Sequence, residues 1–116
     1  MSKWLDQARE QAQKLGYIDD RNLLTCANAQ QLPRGDFGLV ALCINHTTLT
    51  ICDADVMSPP DMSNVLYQVP LKEIQAFKGS AFPLNRYFKF TYGGMTYHFK
   101  NFGPAKEIIS AVSEYL

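Results

Sequence analysis

The chain of 116 residues lacks the motifs that mark most catalytic and metal-binding sites. Its two histidines, His46 and His98, stand far apart, and neither His-x-x-x-His nor Cys-x-x-Cys spacing occurs, which argues against a zinc site. No glycine-rich loop of the kind that cradles phosphate groups is present. The acidic segment 53–61 lacks the glycine and the closing glutamate of a calcium loop. We therefore predict no catalytic residue, no cofactor and no bound metal.

Cysteine is scarce, and Cys26, Cys43 and Cys52 do not form the pattern of a disulfide framework. Three cysteines cannot all pair within one chain, and these lie in apolar or alternating segments that suit reduced, half-buried thiols. A cysteine that meets a histidine in space could still act as a nucleophile. A small enzyme without a recognisable motif is therefore kept as a third hypothesis.

Long apolar runs are also missing. No stretch approaches the roughly 20 consecutive apolar residues that a membrane-spanning helix needs. The first segment, MSKWLDQAREQAQKLG, is polar and amphipathic and lacks the apolar core of a secretory signal. We expect a cytoplasmic protein, and a peripheral position on the inner face of the membrane stays open.

Apolar periodicity predicts a helix near each end of the chain. In segment 1–16, Ser2 is a candidate N-cap and Gly16 a candidate stop. The apolar stripe of this helix must be covered by the chain's own sheet or by a partner, and both alternatives stay open. At the other end, Pro104 suits the first helical position and an apolar stripe runs to Leu116, so this helix should close over the sheet. The N-terminal stripe consists of Trp4, Leu5, Ala8, Ala12 and Leu15.

Between the helices the pattern is one of strands and tight turns. A first strand is predicted at 22–29, and GLVALCIN and TTLTICD form a hairpin around His46. In its register Ile44 lies opposite Leu49, and Cys43 does not face Cys52, so a disulfide between these two cysteines is disfavoured.

The next segment, VLYQVPLKEIQAF, predicts a strand, a bend and a second strand. Pro70 cannot donate to a strand ladder, so it indicates the edge or the end of the first of these strands. The bend is expected at Lys72 and Glu73.

The stretch RYFKFTYGGMTYHFKNF, residues 86–102, predicts a hairpin. Gly93 and Gly94 suit a two-residue turn that needs positive φ at both positions. One face of the hairpin is then apolar and the other polar, and a slip by one residue would mix them, so the pattern sets the register. The aromatic side chains of the apolar face are therefore predicted to be core. The apolar pairs are Tyr92–Met95, Phe90–Tyr97 and Phe88–Phe99, and the polar pairs are Thr91–Thr96, Lys89–His98 and Tyr87–Lys100.

The order helix, about seven strands, helix predicts a mainly β (α+β) single domain over residues 1–116. We expect antiparallel strands in a partly open barrel or sandwich. The C-terminal helix would cap it, and the N-terminal helix would be an addition.

The order of these motifs resembles that of pleckstrin-homology-like domains of the GRAM or bacterial PH kind. ALCINHTTLTI is similar to the family's hairpin around a short turn, YQVPLKEI to its Ile-Pro-Leu signature, and FKFTYGGMTYHFKNFGPAKEIISAV to its last hairpin and C-terminal helix. The likeness covers residues 22–116. It implies a binding fold that hosts lipid binders, peptide binders and self-assembling modules, and bacterial members are often oligomers. Phosphoinositide binders carry several basic residues in the first loop, whereas AQQLPRGDFG has only Arg34, beside Asp36.

Charge is balanced overall but segregated along the chain. Net charge is zero, yet segment 72–106 holds six basic residues and one acid, Glu73. This segment could meet an anionic partner such as acidic lipid, or its charge could be neutralised within the fold. Nucleic acid is not a predicted partner, because the aromatic side chains belong to the core face. The candidate anionic-ligand face consists of Lys72, Lys78, Arg86, Tyr87, Lys89, His98 and Lys100.

From the sequence we predict a non-catalytic binding module that contacts another protein or a second copy of itself. A homo-oligomer is expected, with the N-terminal stripe as the candidate partner-binding surface if the chain's own sheet does not cover it. Peripheral binding to anionic lipid is the alternative hypothesis, ahead of an enzyme.

Overall fold

The computed structural model describes residues 2–116, with side chains from Lys3 onward. The predicted capping role of Ser2 concerns a side chain outside the described residues. No helix within this range has the length and apolar composition that crossing a membrane requires. A single 3₁₀ turn, Leu71–Glu73, forms the bend predicted there. The helices are α1 (Ser2–Leu15) and α2 (Ala105–Val112), and the strands are β1 (Leu24–Gln31), β2 (Gly38–Ile44), β3 (Thr48–Asp53), β4 (Val65–Pro70), β5 (Gln75–Phe82), β6 (Asn85–Tyr92) and β7 (Met95–Lys100).

The seven strands of the described range form one antiparallel sheet with the order β4-β3-β2-β1-β7-β6-β5. It consists of two meanders, β1 to β4 and β5 to β7, joined where β1 pairs with β7. The predicted mainly β fold, with antiparallel strands and a helix at each end, is confirmed.

Both predicted hairpin registers are confirmed. Between β2 and β3, Ile44 lies opposite Leu49. Between β6 and β7, Gly93 and Gly94 form the turn with φ of 60° and 79°, and the six predicted cross-strand pairs are present. Pro70 ends β4, which is an edge strand of the sheet, as predicted.

The main core lies between the inner face of the sheet and α2. The ring of Phe88 is its centre, with ring centroids 5.1 Å from Phe99 and 5.2 Å from Phe102. These three side chains are fully buried. The aromatic side chains on the apolar face of the last hairpin are buried as predicted, except that of Tyr92, which is only partly buried. From α2 the core receives Ile108, Ala111 and Val112.

Helix α2 is shorter than predicted. Pro104 is its N-cap, with an extended backbone (φ −74°, ψ 122°), and not its first helical residue. The helix ends at Val112, where the hydroxyl of Ser113 donates to the carbonyl of Ile109 at 2.7 Å. The prediction that Leu116 extends the apolar stripe is wrong, because this residue lies beyond the helix and is 67% exposed.

A second cluster lies between α1 and the outer face of β1, β2 and β3. Trp4, Ala8 and Ala12 are buried there, and the two alanines leave no bulky side chain between the helix and the sheet. The indole Nε1 of Trp4 donates to the carbonyls of Asp55 at 3.2 Å and Ser58 at 3.0 Å, in the loop between β3 and β4. The stripe of α1 is therefore covered by the chain itself from Trp4 to Ala12. The facing side chains are Leu24, Ala41, Cys43, Cys52 and Met62.

Replacing Ala8 with glutamate should detach α1 from the sheet. A carboxylate at this fully buried position would lose its hydration, and we expect the free energy of unfolding to fall by about 3–5 kcal/mol. Trp4 is the only tryptophan, so its emission should shift to longer wavelength as the helix detaches. The control Gln7→Glu places the same charge on the exposed side of α1 and should change stability by less than about 0.5 kcal/mol. Equal unfolding curves for Ala8→Glu and the wild type would contradict the docked position of α1.

Candidate anionic-ligand site

The outer face of β5, β6 and β7 carries what we call the basic face: Lys78, Tyr87, Lys89, His98 and Lys100. Lys89 lies opposite Lys78 on one side and His98 on the other, so these three form a row across the strands. Tyr87 lies opposite Lys100 in the neighbouring row. Because adjacent strands are about 4.8 Å apart, all five side chains line one shallow depression of about 310 Å³. The structure thus brings together five of the seven residues of the predicted anionic-ligand face.

Lys78 reaches the basic face because β5 contains a bulge. Between Gln75 and Lys78, β5 has one residue more than the facing segment of β6, and Ala76 there has a φ of 53°. The extra residue turns Phe77 inward, where its ring stacks on Phe88 with centroids 6.0 Å apart. It also turns Lys78 outward, since strict alternation from Gln75 would have pointed this lysine into the core.

The lysines of the basic face lack acidic neighbours. Within residues 2–116, Lys78, Lys89 and Lys100 take part in none of the salt bridges, and the side chains that line the depression include no acid. Like charges directly opposite each other in a sheet are destabilising. The Lys78–Lys89 pair therefore costs stability, and an anion held between these lysines would relieve the repulsion.

His98 adds a neutral polar group to the basic face. Burial, together with nearby Lys100 and Lys89, holds the pKa of His98 below its ordinary value of 6.5. In the described part of the chain its buried Nε2 has no hydrogen-bond partner, and its ring meets that of Tyr87 edge-on at 5.8 Å. An anion bound here would favour the protonated imidazole, so the basic face is expected to attract anions more strongly as pH falls.

Lys72 and Arg86 lie away from the basic face. Arg86 lies two residues before the buried Phe88 on β6. Its side chain therefore projects from the inner side of the sheet, close to Gly103. Lys72 belongs to the 3₁₀ turn, where its Nζ lies 5.4 Å from the ring centroid of Tyr115 in a cation–π contact. These two basic residues do not extend the site.

The predicted partner-binding stripe is not a free surface of the folded chain. Trp4, Ala8 and Ala12 are buried against the sheet, Leu5 is half-buried, and Leu15 is 46% exposed. A partner could use this face only by displacing α1.

Both edge strands of the sheet are obstructed. Beside β4, the guanidinium of Arg34 donates to the carbonyl of Leu66 at 3.1 Å and to the hydroxyl of Tyr67 at 3.0 Å. Pro70 then ends this strand. The bulge at Ala76 interrupts β5, and α2 packs against the same strand. Strand addition by a protein partner is therefore hindered at both edges.

The cysteines lie apart from the histidines. Contact with the Cys52 thiol and burial raise the pKa of Cys43, and burial raises that of Cys26, which keeps these thiols protonated. The hydrogen bonds found within residues 2–116 join no thiol to a histidine. In the same range, no three His, Cys, Asp or Glu side chains gather where they could hold a metal ion.

A cavity of about 860 Å³ lies between α2 and the segment before β1. Two of its charged groups are already engaged, since Arg21 pairs with Asp19 at 2.9 Å and Glu114 with His46 at 3.3 Å, and the lining also holds a second acid, Glu107, beside Lys106. A ligand would have to compete with these contacts, which makes this cavity a weaker candidate than the basic face.

The tip of the β5–β6 hairpin is not among the predicted sites. Phe82 and Leu84 flank Pro83 there, and both are largely exposed. Hairpin turns usually carry glycine, asparagine, aspartate or serine. Two large apolar residues beside a turn proline are the sequence feature that could have revealed this tip.

Comparison with known proteins adds no relative. No model of a protein family matches the chain, and no curated protein matches its sequence closely.

Reversing the charge of Lys78 should stabilise the fold. Lys78→Glu replaces a repelling pair with an attracting one across β5 and β6, and we expect the free energy of unfolding to rise by about 0.5 kcal/mol at low salt. The gain should shrink at high salt, because exposed charges are screened. The control Lys78→Gln removes the repulsion without adding attraction, so it should give roughly half the gain. Denaturant unfolding that shows a loss of stability in Lys78→Glu would overturn this account of the pair.

Acid should destabilise the fold through His98. Because its pKa is lowered in the folded state, the unfolded chain binds the proton more readily. The contribution of His98 to stability should be complete above about pH 6.5 and be lost as pH falls below that value. His98→Gln should remove this part of the pH dependence, whereas His46→Gln should keep it. Identical stability profiles for His98→Gln and the wild type, measured by denaturant unfolding, would contradict the assignment.

Proposed function

We propose that this chain is a non-catalytic, pleckstrin-homology-like module that binds an anionic lipid surface through the basic face. The observation that carries the proposal is the convergence of Lys78, Lys89 and Lys100 on one depression whose lining includes no acid. Tyr87 and His98 supply hydrogen-bonding groups in the same depression.

The order of the elements supports the family assignment. The resemblance implies antiparallel strands that end in a hairpin leading into a C-terminal helix, and β6, β7 and α2 follow one another in this way. Helix α1 lies outside the segment that resembles the family, and it packs on the outer face of β1 to β3.

Three lysines suit weak, reversible contact with a membrane. A basic residue near an anionic bilayer contributes about 1 kcal/mol, so the basic face would supply about 3 kcal/mol at low salt. The attraction extends over only about 8 Å at physiological ionic strength, so the strands must lie close to the lipid. A shallow depression open to solvent can meet several headgroups together, which an enclosed pocket could not.

The non-catalytic part of the proposal rests on the placement of the reactive side chains. Among the described residues, no thiol lies within hydrogen-bonding reach of a histidine, and the raised pKa values of Cys26 and Cys43 disfavour their nucleophilic form.

Contact with a protein partner or a second copy stays a prediction. Its candidate surfaces, the α1 stripe and the sheet edges, are covered or obstructed in the folded chain. Light scattering that shows a stable oligomer would favour this second function.

Vesicle co-sedimentation should show binding that requires negative lipid. The chain should bind phosphatidylcholine vesicles that contain phosphatidylserine, and not vesicles of phosphatidylcholine alone at the same lipid concentration. The bound fraction should fall as salt is raised. Lys89→Glu combined with Lys100→Glu should weaken binding at least about 10-fold. The matched control, Lys3→Glu with Lys14→Glu, makes the same charge change on α1 and should weaken it much less.

Two outcomes would count against the proposed function. Equal binding to charged and neutral vesicles would remove the role of charge, and equal losses in the two double variants would remove the role of the basic face. Thermal unfolding of both variants checks that they fold, which is expected because Lys3, Lys14 and Lys89 are exposed and Lys100 is partly so.

A further inference from the structure

The β5–β6 hairpin ends in what we call the apolar tip: Phe82, Pro83 and Leu84. Phe82 pairs with Asn85, which leaves Pro83 and Leu84 as the two turn residues. Phe82 is 75% exposed and Leu84 is fully exposed. Single apolar side chains on a surface are common. Two large ones on one turn form a contiguous apolar surface, which is typical of a site that contacts a protein or a membrane.

The apolar tip and the basic face lie on the same two strands. By register, the outer side of β5 carries Phe82, Ser80 and Lys78 in turn, and the outer side of β6 carries Asn85, Tyr87 and Lys89. The order away from the tip is therefore an apolar turn, then the row of Tyr87 and Lys100, then the row of Lys78 and Lys89. Lys78 lies four positions along β5 from Phe82, which is about 13 Å in a strand.

This order matches the polarity profile of a membrane–water interface. Elements that lie in the interface bury apolar side chains about 5–10 Å into the boundary between headgroups and acyl chains. Tyrosine concentrates at headgroup level, and lysine extends its long stem so that the ammonium reaches polar surroundings. A tip inserted to that depth would leave the lysine rows at the headgroups.

Basic groups flank the apolar tip on its other side as well. Arg86 lies opposite Ala81 at the start of β6, and Lys106 of α2 lines a cavity of about 240 Å³ together with Phe82 and Pro83. The hairpin segment 78–89 contains no acidic residue. An apolar turn with basic residues on both sides is complementary to an anionic bilayer. A protein pocket that bound the same turn would need acidic residues around it.

We propose that Phe82 and Leu84 form a membrane anchor that inserts into an anionic bilayer while the basic face contacts the headgroups. This inference rests on the proposed function for its anionic lipid, and it adds an apolar contact that salt does not screen. Binding should therefore have two parts: one that salt weakens and one that persists at high salt.

A tryptophan reporter tests insertion directly. Leu84→Trp should show a blue-shifted emission on phosphatidylcholine vesicles that contain phosphatidylserine, and lipids with brominated acyl chains should quench it. The wild type, with Trp4 as its only tryptophan, measures the background. The matched control is Met57→Trp, at a residue that is 91% exposed in the loop between β3 and β4, and its emission should not change. An unshifted, unquenched emission of Leu84→Trp on bound protein would overturn the inference.

The salt-resistant part of binding gives an independent test. Phe82→Ser combined with Leu84→Ser should weaken vesicle binding at high salt at least about 10-fold. The control Phe37→Ser with Met57→Ser removes two other exposed apolar side chains and should leave binding unchanged. All four positions are exposed, so both variants should unfold thermally like the wild type. Wild-type binding by Phe82→Ser with Leu84→Ser would overturn the inference.

The two proposals fail in different ways. Suppose that Lys89→Glu with Lys100→Glu abolishes binding, that Phe82→Ser with Leu84→Ser binds like the wild type, and that the emission of Leu84→Trp is neither shifted nor quenched. The proposed function then stands and the anchor is wrong. If the lysine variant binds vesicles like the wild type and Leu84→Trp is still quenched, the anchor stands and the basic face is not the lipid site.

Discussion

The pairing of β1 with β7 is the contact on which the rest of the structure depends. It is the only ladder in the described residues between the two meanders, with Asn28 opposite Lys100 and Ala29 opposite Phe99. Without it the chain would form two small sheets, each with an extra open edge and one apolar face uncovered. With it, the inner faces of both meanders enclose one core that α2 closes.

The same ladder determines which side chains share the outer face. Because Ala29 and Phe99 point inward, Asn28 and Lys100 point outward, and the outer face is continuous from β3 to β5. Helix α1 covers the part made by β1 to β3, where the outward side chains are small or apolar. It leaves the part made by β5 to β7 in water, where alternation requires polar residues. Lysines at this uncovered part repel one another, so folding alone does not account for them.

Local pairings could be predicted from the sequence, whereas placements that depend on distant segments could not. Alternation around the Gly93–Gly94 turn determines the last hairpin, since a slip by one residue would exchange its faces. The same alternation already separates Arg86 from the basic face, because Arg86 lies two residues before Phe88 and therefore on the core side of β6. Lys78 is different: it faces outward only because β5 carries an extra residue at Ala76, and residue type does not reveal a bulge. The docking of α1 likewise depends on a surface that exists only after β1, β2 and β3 have paired.

The β5–β6 hairpin carries both proposed membrane contacts, the apolar tip and lysines of the basic face. The stacking of Phe77 on Phe88 holds β5 to the core beside the bulge, and β7 pairs with β6 from Tyr87 to Tyr92. The apolar tip and the lysine rows therefore keep one relative position, so a membrane that engages one engages the other without ordering a new segment. Binding then requires little conformational entropy from the protein. Charge alone would attract the chain to lipid without orienting it, whereas a tip about 13 Å ahead of the row of Lys78 and Lys89 defines a single direction of approach.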